Sequence, residues 1–264
     1  MNLYTIFGNP VHHSISPILH NFVFKHTGYN GCYTKILVEE GEKLKDIFLT
    51  LQIKGANITV PHKEWAYRLA DEVLGIAREI GAVNTWYNDN GKIVAYNTDA
   101  PGFFESVRNF DFQKVLILGA GGTAKAIALY FRHKGYEPVI LNRSAKRVGY
   151  FLEKNFHAYT WDELKEKSFD LVINTTSAGL SDNNLPAPKE LLEKIFSHAR
   201  YAVDVIYNKE TPFLQLANDM GLITKDGTEM LLYQGILANE IFTDFSIDKK
   251  RIEALMRKSL ELLG

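Results

Sequence analysis

The chain has 264 residues, 46% of them hydrophobic, and a formal net charge of −1 at pH 7, so one large domain or two modest ones with a real core are within reach. The balanced charge gives no electrostatic footprint for nucleic acid, and no apolar run is long enough to span a bilayer. The single cysteine, Cys32, excludes internal disulfides and reads as inert packing, and the first residues lack the pattern of a signal peptide.

In chain order, Leu3–Phe7 reads as a strand broken at Gly8-Asn9-Pro10. Ser16 precedes Pro17 and is a plausible N-cap of a helix that runs to about Thr27 and stops at Gly28. Ser14 and Ser16 can present two hydroxyls to an anion, or serve as ordinary caps. Cys32–Leu37 reads as a strand, Glu42–Leu51 as an amphipathic helix and Ala56–Val60 as a third strand. Asn57 and Thr59 alternate with apolar residues and share a face at the end of that strand, and Lys63 follows its closing proline. Glu64–Leu69 and Asp71–Glu79 look helical. Asp89-Asn90-Gly91 signals a hairpin whose second arm is Ile93–Tyr96, and Pro101 and Gly102 open a helix through Val107. Asn84, Asn97 and Asp99 cluster at the hairpin base, where turn geometry and a ligand site explain them equally well.

Lys114–Leu118 is a short apolar run with the look of a strand buried on both faces. It ends in Gly119, Gly121 and Gly122, a turn that leaves room for a phosphate against backbone N–H groups. A helix over Thr123–His133 follows, its N-terminus favouring an anion, and then a strand at Pro138–Leu141. A carboxylate at that strand end would hydrogen-bond a ribose 2′-hydroxyl and favour NAD. Here the run Asn142-Arg143-Ser144-Ala145-Lys146-Arg147 contains no acid and three cations, which favours NADP.

Arg147–Glu153 then reads as a helix, Ala158–Lys167 as a segment with a short capped helix at Trp161–Leu164, and Leu171–Asn174 as another buried strand. The hydroxyl-rich stretch from Asn174 to Gly179 suits a cofactor cleft, and Asp182–Pro188 is a polar loop. Tyr201–Val205 is a strand, Thr211–Met220 a helix, Leu222–Thr224 a short strand, and Met230–Phe242 and Ile247–Leu263 are closing helices. The fold class expected is α/β. Residues 1–100 form a substrate domain, residues 101–226 a Rossmann-like doubly wound dinucleotide domain, and residues 227–264 are helices returning to the first domain.

Seven segments together resemble the shikimate dehydrogenase family of the shikimate/quinate dehydrogenase superfamily. They are GNPVHHSISPILHN from Gly8, ANITVPHK from Ala56, GAVNT from Gly81, NTD from Asn97, GAGGTAKA from Gly119, NRSAKR from Asn142 and EMLLYQG from Glu229. The resemblance implies reversible reduction of 3-dehydroshikimate to shikimate with NADPH, in aromatic amino-acid biosynthesis. It matches Lys63 to the catalytic lysine and Asp99 to its partner. Ser14, Ser16 and Tyr207 match groups that hold the substrate carboxylate, and Thr59, Asn84, Asp99 and Gln234 groups that bind the ring hydroxyls. Gly119, Ala120, Gly121, Gly122 and Thr123, with Asn142, Arg143, Ser144, Lys146 and Arg147, match the cofactor segments. Val205 and Gly227 match positions beside the nicotinamide half. Two departures stand out: Ala100 where the family usually has glycine, and His62 where it often has an aromatic; neither is expected to cost activity.

Other readings are a quinate/shikimate dehydrogenase, against which the acid-free Asn142-Arg143 argues, and a non-catalytic sensing module, which would lack Lys63 or Asp99. A methylenetetrahydrofolate dehydrogenase would share the domain layout without the paired serines and the NTD segment. The expectation is a soluble cytoplasmic enzyme, monomer or homodimer, that takes a small hydroxy acid and NADP. No metal, nucleic acid or membrane enters this reading.

Overall fold

Two six-stranded sheets organise the chain over residues 1–262, the part that the computed structural model describes. The chain divides into two units: Met1–Gly102 together with the chain from Leu232 onward, and Phe103–Leu231.

The first unit opens with β1 (Asn2–Gly8), α1 (Ser16–Thr27), β2 (Gly31–Leu37), a 3₁₀ turn (Gly41–Lys43), α2 (Leu44–Thr50) and β3 (Gly55–Ile58). It continues with α3 (Lys63–Leu69), β4 (Glu72–Val73), α4 (Ala77–Ile80), β5 (Thr85–Asp89), β6 (Lys92–Tyr96) and the start of α5 (Asp99–Ser106). Its sheet has the order β2-β1-β3-β5-β6-β4, and β5 runs antiparallel to both neighbours. One core layer gathers Phe7, Phe48 and Trp86, the last two edge-on at 5.3 Å. The other gathers Tyr4, Phe24 and Phe242.

The second unit carries β7 (Val115–Leu118), α6 (Gly122–His133), β8 (Val139–Leu141), α7 (Ala145–Glu153), β9 (Ala158–Tyr159) and β10 (Leu171–Asn174). After these come α8 (Lys189–Phe196), β11 (Tyr201–Asp204), α9 (Pro212–Asp219), β12 (Ile223–Lys225) and the start of α10 (Thr228–Phe242). Its sheet is parallel throughout, in the order β12-β11-β10-β7-β8-β9. All four residues of β7 and of β10 are buried, which is why β7 reads as an unbroken apolar run and β10 as one up to its closing Asn174. The strand order reverses between β7 and β10, and the crevice beyond the strand ends at such a point is where open α/β sheets hold ligands. The chain closes with α11 (Lys249–Glu261), which lies against α1 in the first unit; the expected end of this helix at Leu263 lies outside the described residues.

Several expectations are corrected. Ser16 is the first residue of α1 rather than its cap: the cap position is Ile15, with no side-chain hydrogen bond. The third strand ends at Ile58, so Thr59 and Val60 lie in the turn after it. Asp71–Glu79 is not one helix. Asp71 N–H donates to Ile93 O on the second hairpin arm, Leu74 N–H reaches Ala95 O, and Gly75 at φ +61° turns the chain before α4. Trp161–Leu164 forms a turn instead of a helix, closed by Glu163 accepting from Thr160 N–H and Oγ1 at 2.9 and 2.7 Å. Three elements were not foreseen: the edge strands β4 and β9, and α8, which buries Leu192, Ile195 and Phe196.

Candidate active site

Lys63 opens α3 and Asp99 opens α5. The Lys63 ammonium donates to Asp99 Oδ2 at 2.6 Å, with the lysine side chain 30% and the aspartate 15% exposed. A proton donor held by a carboxylate yet open to solvent can meet a substrate oxygen. Ala100 and His62 stand beside this pair. Ala100 is buried without a positive φ and its N–H donates to Asn97 Oδ1, so the missing glycine costs no backbone strain. His62 is buried, with its Nε2 at 2.6 Å from Val38 O, which anchors the residue before Lys63.

Ser14 and Ser16 converge: Ser14 Oγ donates to Ser16 Oγ at 3.1 Å and accepts from Ser16 N–H at 3.3 Å. Because Ser16 caps no helix, its hydroxyl is kept for this pair at the start of a twelve-residue helix. Asn84 is buried against Thr98: its Oδ1 accepts from Thr98 N–H at 2.7 Å and its Nδ2 donates to Thr98 Oγ1 at 2.9 Å. Asn57 Nδ2 donates to Asn84 O and Thr85 Oγ1, and Tyr33 OH donates to Asn57 Oδ1 at 2.7 Å. Burial pushes the Tyr33 phenol well up, against the neighbouring Ser16 hydroxyl, which pulls it down. Thr59 donates its N–H to Phe7 O. Gln234 lies on α10 so close to α5 that a Cβ on Gly102 would stand 2.6 Å from its backbone nitrogen. Tyr33, Asn57 and Thr98 were not among the expected site residues. Asn57 and Thr98 lie inside the ANITVPHK and NTD segments, the signal that could have found them; Tyr33 lies in none of the seven segments.

In the second unit Gly119 has φ +111°, and a Cβ there would meet Thr175 Oγ1 at 2.6 Å. Gly121 and Gly122 have no positive φ; what they supply is open space, since nothing lies within 4 Å of where a Cβ would stand. Gly122 starts α6, so Ala120, Gly121 and Thr123 surround the exposed N–H groups of a twelve-residue helix. At the end of β8, Asn142 Nδ2 donates to Ser144 O at 3.2 Å, and Ser144 sits at the N-cap of α7. Arg143, Lys146 and Arg147 lie around it at the start of that helix. This cradle fits a dinucleotide with a 2′-phosphate. Val205 follows β11, and a Cβ on Gly227 would collide with the Val205 carbonyl. Tyr207 is half-buried, and burial raises its phenol above the ordinary value.

Residues 6–86 match the family model described as the shikimate dehydrogenase substrate binding domain, and residues 104–202 match that for shikimate/quinate 5-dehydrogenase. The chain belongs to the shikimate dehydrogenase family. The NADP(+)-dependent shikimate dehydrogenase of Helicobacter hepaticus is 43% identical over 96% of this chain and 95% of its own. That of Helicobacter pylori strain P12 is 41% identical over 96% of each chain. Among solved structures, the Thermus thermophilus shikimate 5-dehydrogenase in complex with NADP(H) and shikimate superposes with a TM-score of 0.86. It is 32% identical, covering 98% of this chain and 100% of the other. The family's two-domain α/β fold is the one found here, and its members are oxidoreductases. Among the described residues no helix is long and apolar enough to cross a membrane.

Proposed function

We propose that this protein catalyses the reversible NADPH-dependent reduction of 3-dehydroshikimate to shikimate, as a cytoplasmic step of aromatic amino-acid biosynthesis. The observation that carries the reading is the 2.6 Å pair of Lys63 and Asp99 in the unit that matches a substrate-binding family model. NADPH supplies the hydride, and the residues of the chain supply position and the proton. Lys63, as an ammonium, stabilises the negative charge that develops on the C3 oxygen and donates the proton that makes the hydroxyl; in the reverse direction its amine takes that proton back. Asp99 orients Lys63 and, with Thr59, Asn84 and Gln234, binds ring hydroxyls. In this reading Asn84 also holds Thr98, the neighbour of Asp99.

Ser14, Ser16 and Tyr207 are assigned to the substrate carboxylate. Hydroxyl donors bind an anion without adding a fixed cation that would compete with Lys63 for Asp99. Gly119 to Thr123 take the pyrophosphate, the run from Asn142 to Arg147 takes the 2′-phosphate and adenine, and Val205 and Gly227 border the nicotinamide. The test is initial rate by NADPH absorbance, crossing shikimate and quinate with NADP and NAD. Strong preference for shikimate with NADP is expected. Preference for quinate with NAD would install the quinate/shikimate alternative, and no activity in any combination would favour the sensing module.

A further inference from the structure

Asp204 ends β11 fully buried, and no step of the proposed reaction uses its carboxylate. Its Oδ1 accepts from Ile206 N–H at 3.0 Å, and its Oδ2 from Asn174 Nδ2 at 2.9 Å and Thr211 Oγ1 at 2.7 Å. Asn174 is its register partner at the end of β10, and Asn174 Oδ1 in turn accepts from Thr176 N–H and Oγ1 at 3.0 and 2.8 Å. Thr211 caps α9. One carboxylate therefore ties the loops after β10 and β11 to the start of α9.

Those loops face functional backbone on both sides. Thr175 donates its N–H and its hydroxyl to Leu118 O, which brings the β10 loop against the Gly119 turn. Gly227 donates its N–H to Ile206 O at 2.9 Å and leaves space for the Val205 carbonyl. Burial pushes the Asp204 carboxyl above the usual carboxylate range, against the three donors that pull it down. A buried acid is a poor way to gain stability, because an apolar side chain of similar size packs without that desolvation. What a carboxylate adds is direction: it fixes where each donor, and the loop carrying it, must lie.

We propose that Asp204 is the positioning residue for the nicotinamide half of the cofactor site, holding the Val205–Tyr207 backbone against Gly227. This rests on the reading that Val205 and Gly227 border the nicotinamide. The test compares calorimetric binding of NADP+ and of adenosine 2′,5′-bisphosphate, which carries only the adenine half. Asp204→Asn presents an amide N–H₂ to at least one of the three donors, and is expected to weaken NADP+ by about tenfold while leaving the bisphosphate within about twofold. Thr211→Val, which removes one of the three donors together with the side-chain cap of α9, is expected to act in the same selective direction with a smaller effect, and serves if Asp204→Asn does not fold. Equal weakening of both ligands would show a merely structural role and overturn the proposal, as would unchanged binding of both. A wild-type chain that binds neither ligand would overturn the cofactor reading itself, a result seen before any variant is compared.

Discussion

The ammonium of Lys63 lies 2.6 Å from a carboxylate oxygen of Asp99, although the two residues are 36 positions apart in the chain. Each is the first residue of its helix, so neither side chain is confined by a preceding helical turn. If Lys63 is the proton donor, Lys63→Ala is expected to lower kcat by about 10²–10⁴-fold while KM for shikimate changes little. Steady-state kinetics checks this, and a variant with the wild-type kcat would remove the assignment.

Ser14→Ala and Ser16→Ala are expected to raise KM for shikimate by roughly tenfold or more each, since a hydrogen bond to a charged group contributes about 1.5–3 kcal/mol. The two hydroxyls are 3.1 Å apart, so their effects are expected to be non-additive in the double variant. Unchanged KM in both single variants would move the carboxylate elsewhere.

Arg143→Ala is expected to raise KM for NADP by about tenfold or more and to leave KM for NAD nearly unchanged, because only NADP carries the 2′-phosphate. Parallel changes for the two cofactors would contradict the assignment.

His20 yields a prediction about stability. It is buried, stacks on Tyr33 at 4.4 Å, and burial lowers its pKa to about 3. An unfolded histidine titrates near 6.5, so as pH falls through that value the unfolded chain takes up a proton that the folded chain refuses. Stability attributable to His20 is thus whole above about pH 6.5 and is lost on the way down towards pH 3, amounting to about 2 kcal/mol by pH 5. Urea unfolding at pH 7 and pH 5 should show this loss in the wild type, and a smaller one in His20→Gln. An equal loss in both would mean that His20 is not the titrating group.

A methyl group at Gly102 would first meet backbone and the base of one side chain, 2.6 Å from Gln234 N and 2.9 Å from its Cα. Gly102→Ala is expected to destabilise by about 1–3 kcal/mol through forced separation of α5 and α10. Because Gln234 moves with α10, KM for shikimate is expected to rise as well. A variant with wild-type Tm and KM would show that the helices part freely.

What was legible in the sequence was local. The unit β7–turn–α6–β8 announces itself because each element ends where its own residues dictate, at glycine or at the cluster Asn142–Arg147. Elements that exist only through distant pairing stayed hidden: β4 depends on β6, and β9 on β8. The amphipathic pattern of α8 is short and directly follows a polar loop, which masks its start in the sequence. In the site, Lys63 and Asp99 were joined by resemblance rather than by spacing. The bonds of Asn84 to Thr98 and of Tyr33 to Asn57 depend on tertiary packing that no run of residues records.

The first unit is discontinuous in the chain, and this bears on its synthesis. Tyr4, near the first end, donates its hydroxyl to Phe242 O and packs its ring 5.1 Å from that of Phe242. On the ribosome, which extends the chain from its N-terminus, the aromatic layer of Tyr4 and Phe24 therefore waits for Phe242, 238 positions after Tyr4, before its last ring arrives. The second unit, encoded in one piece, has no such wait. A nascent chain arrested before α10 would leave that layer open to solvent or to a chaperone.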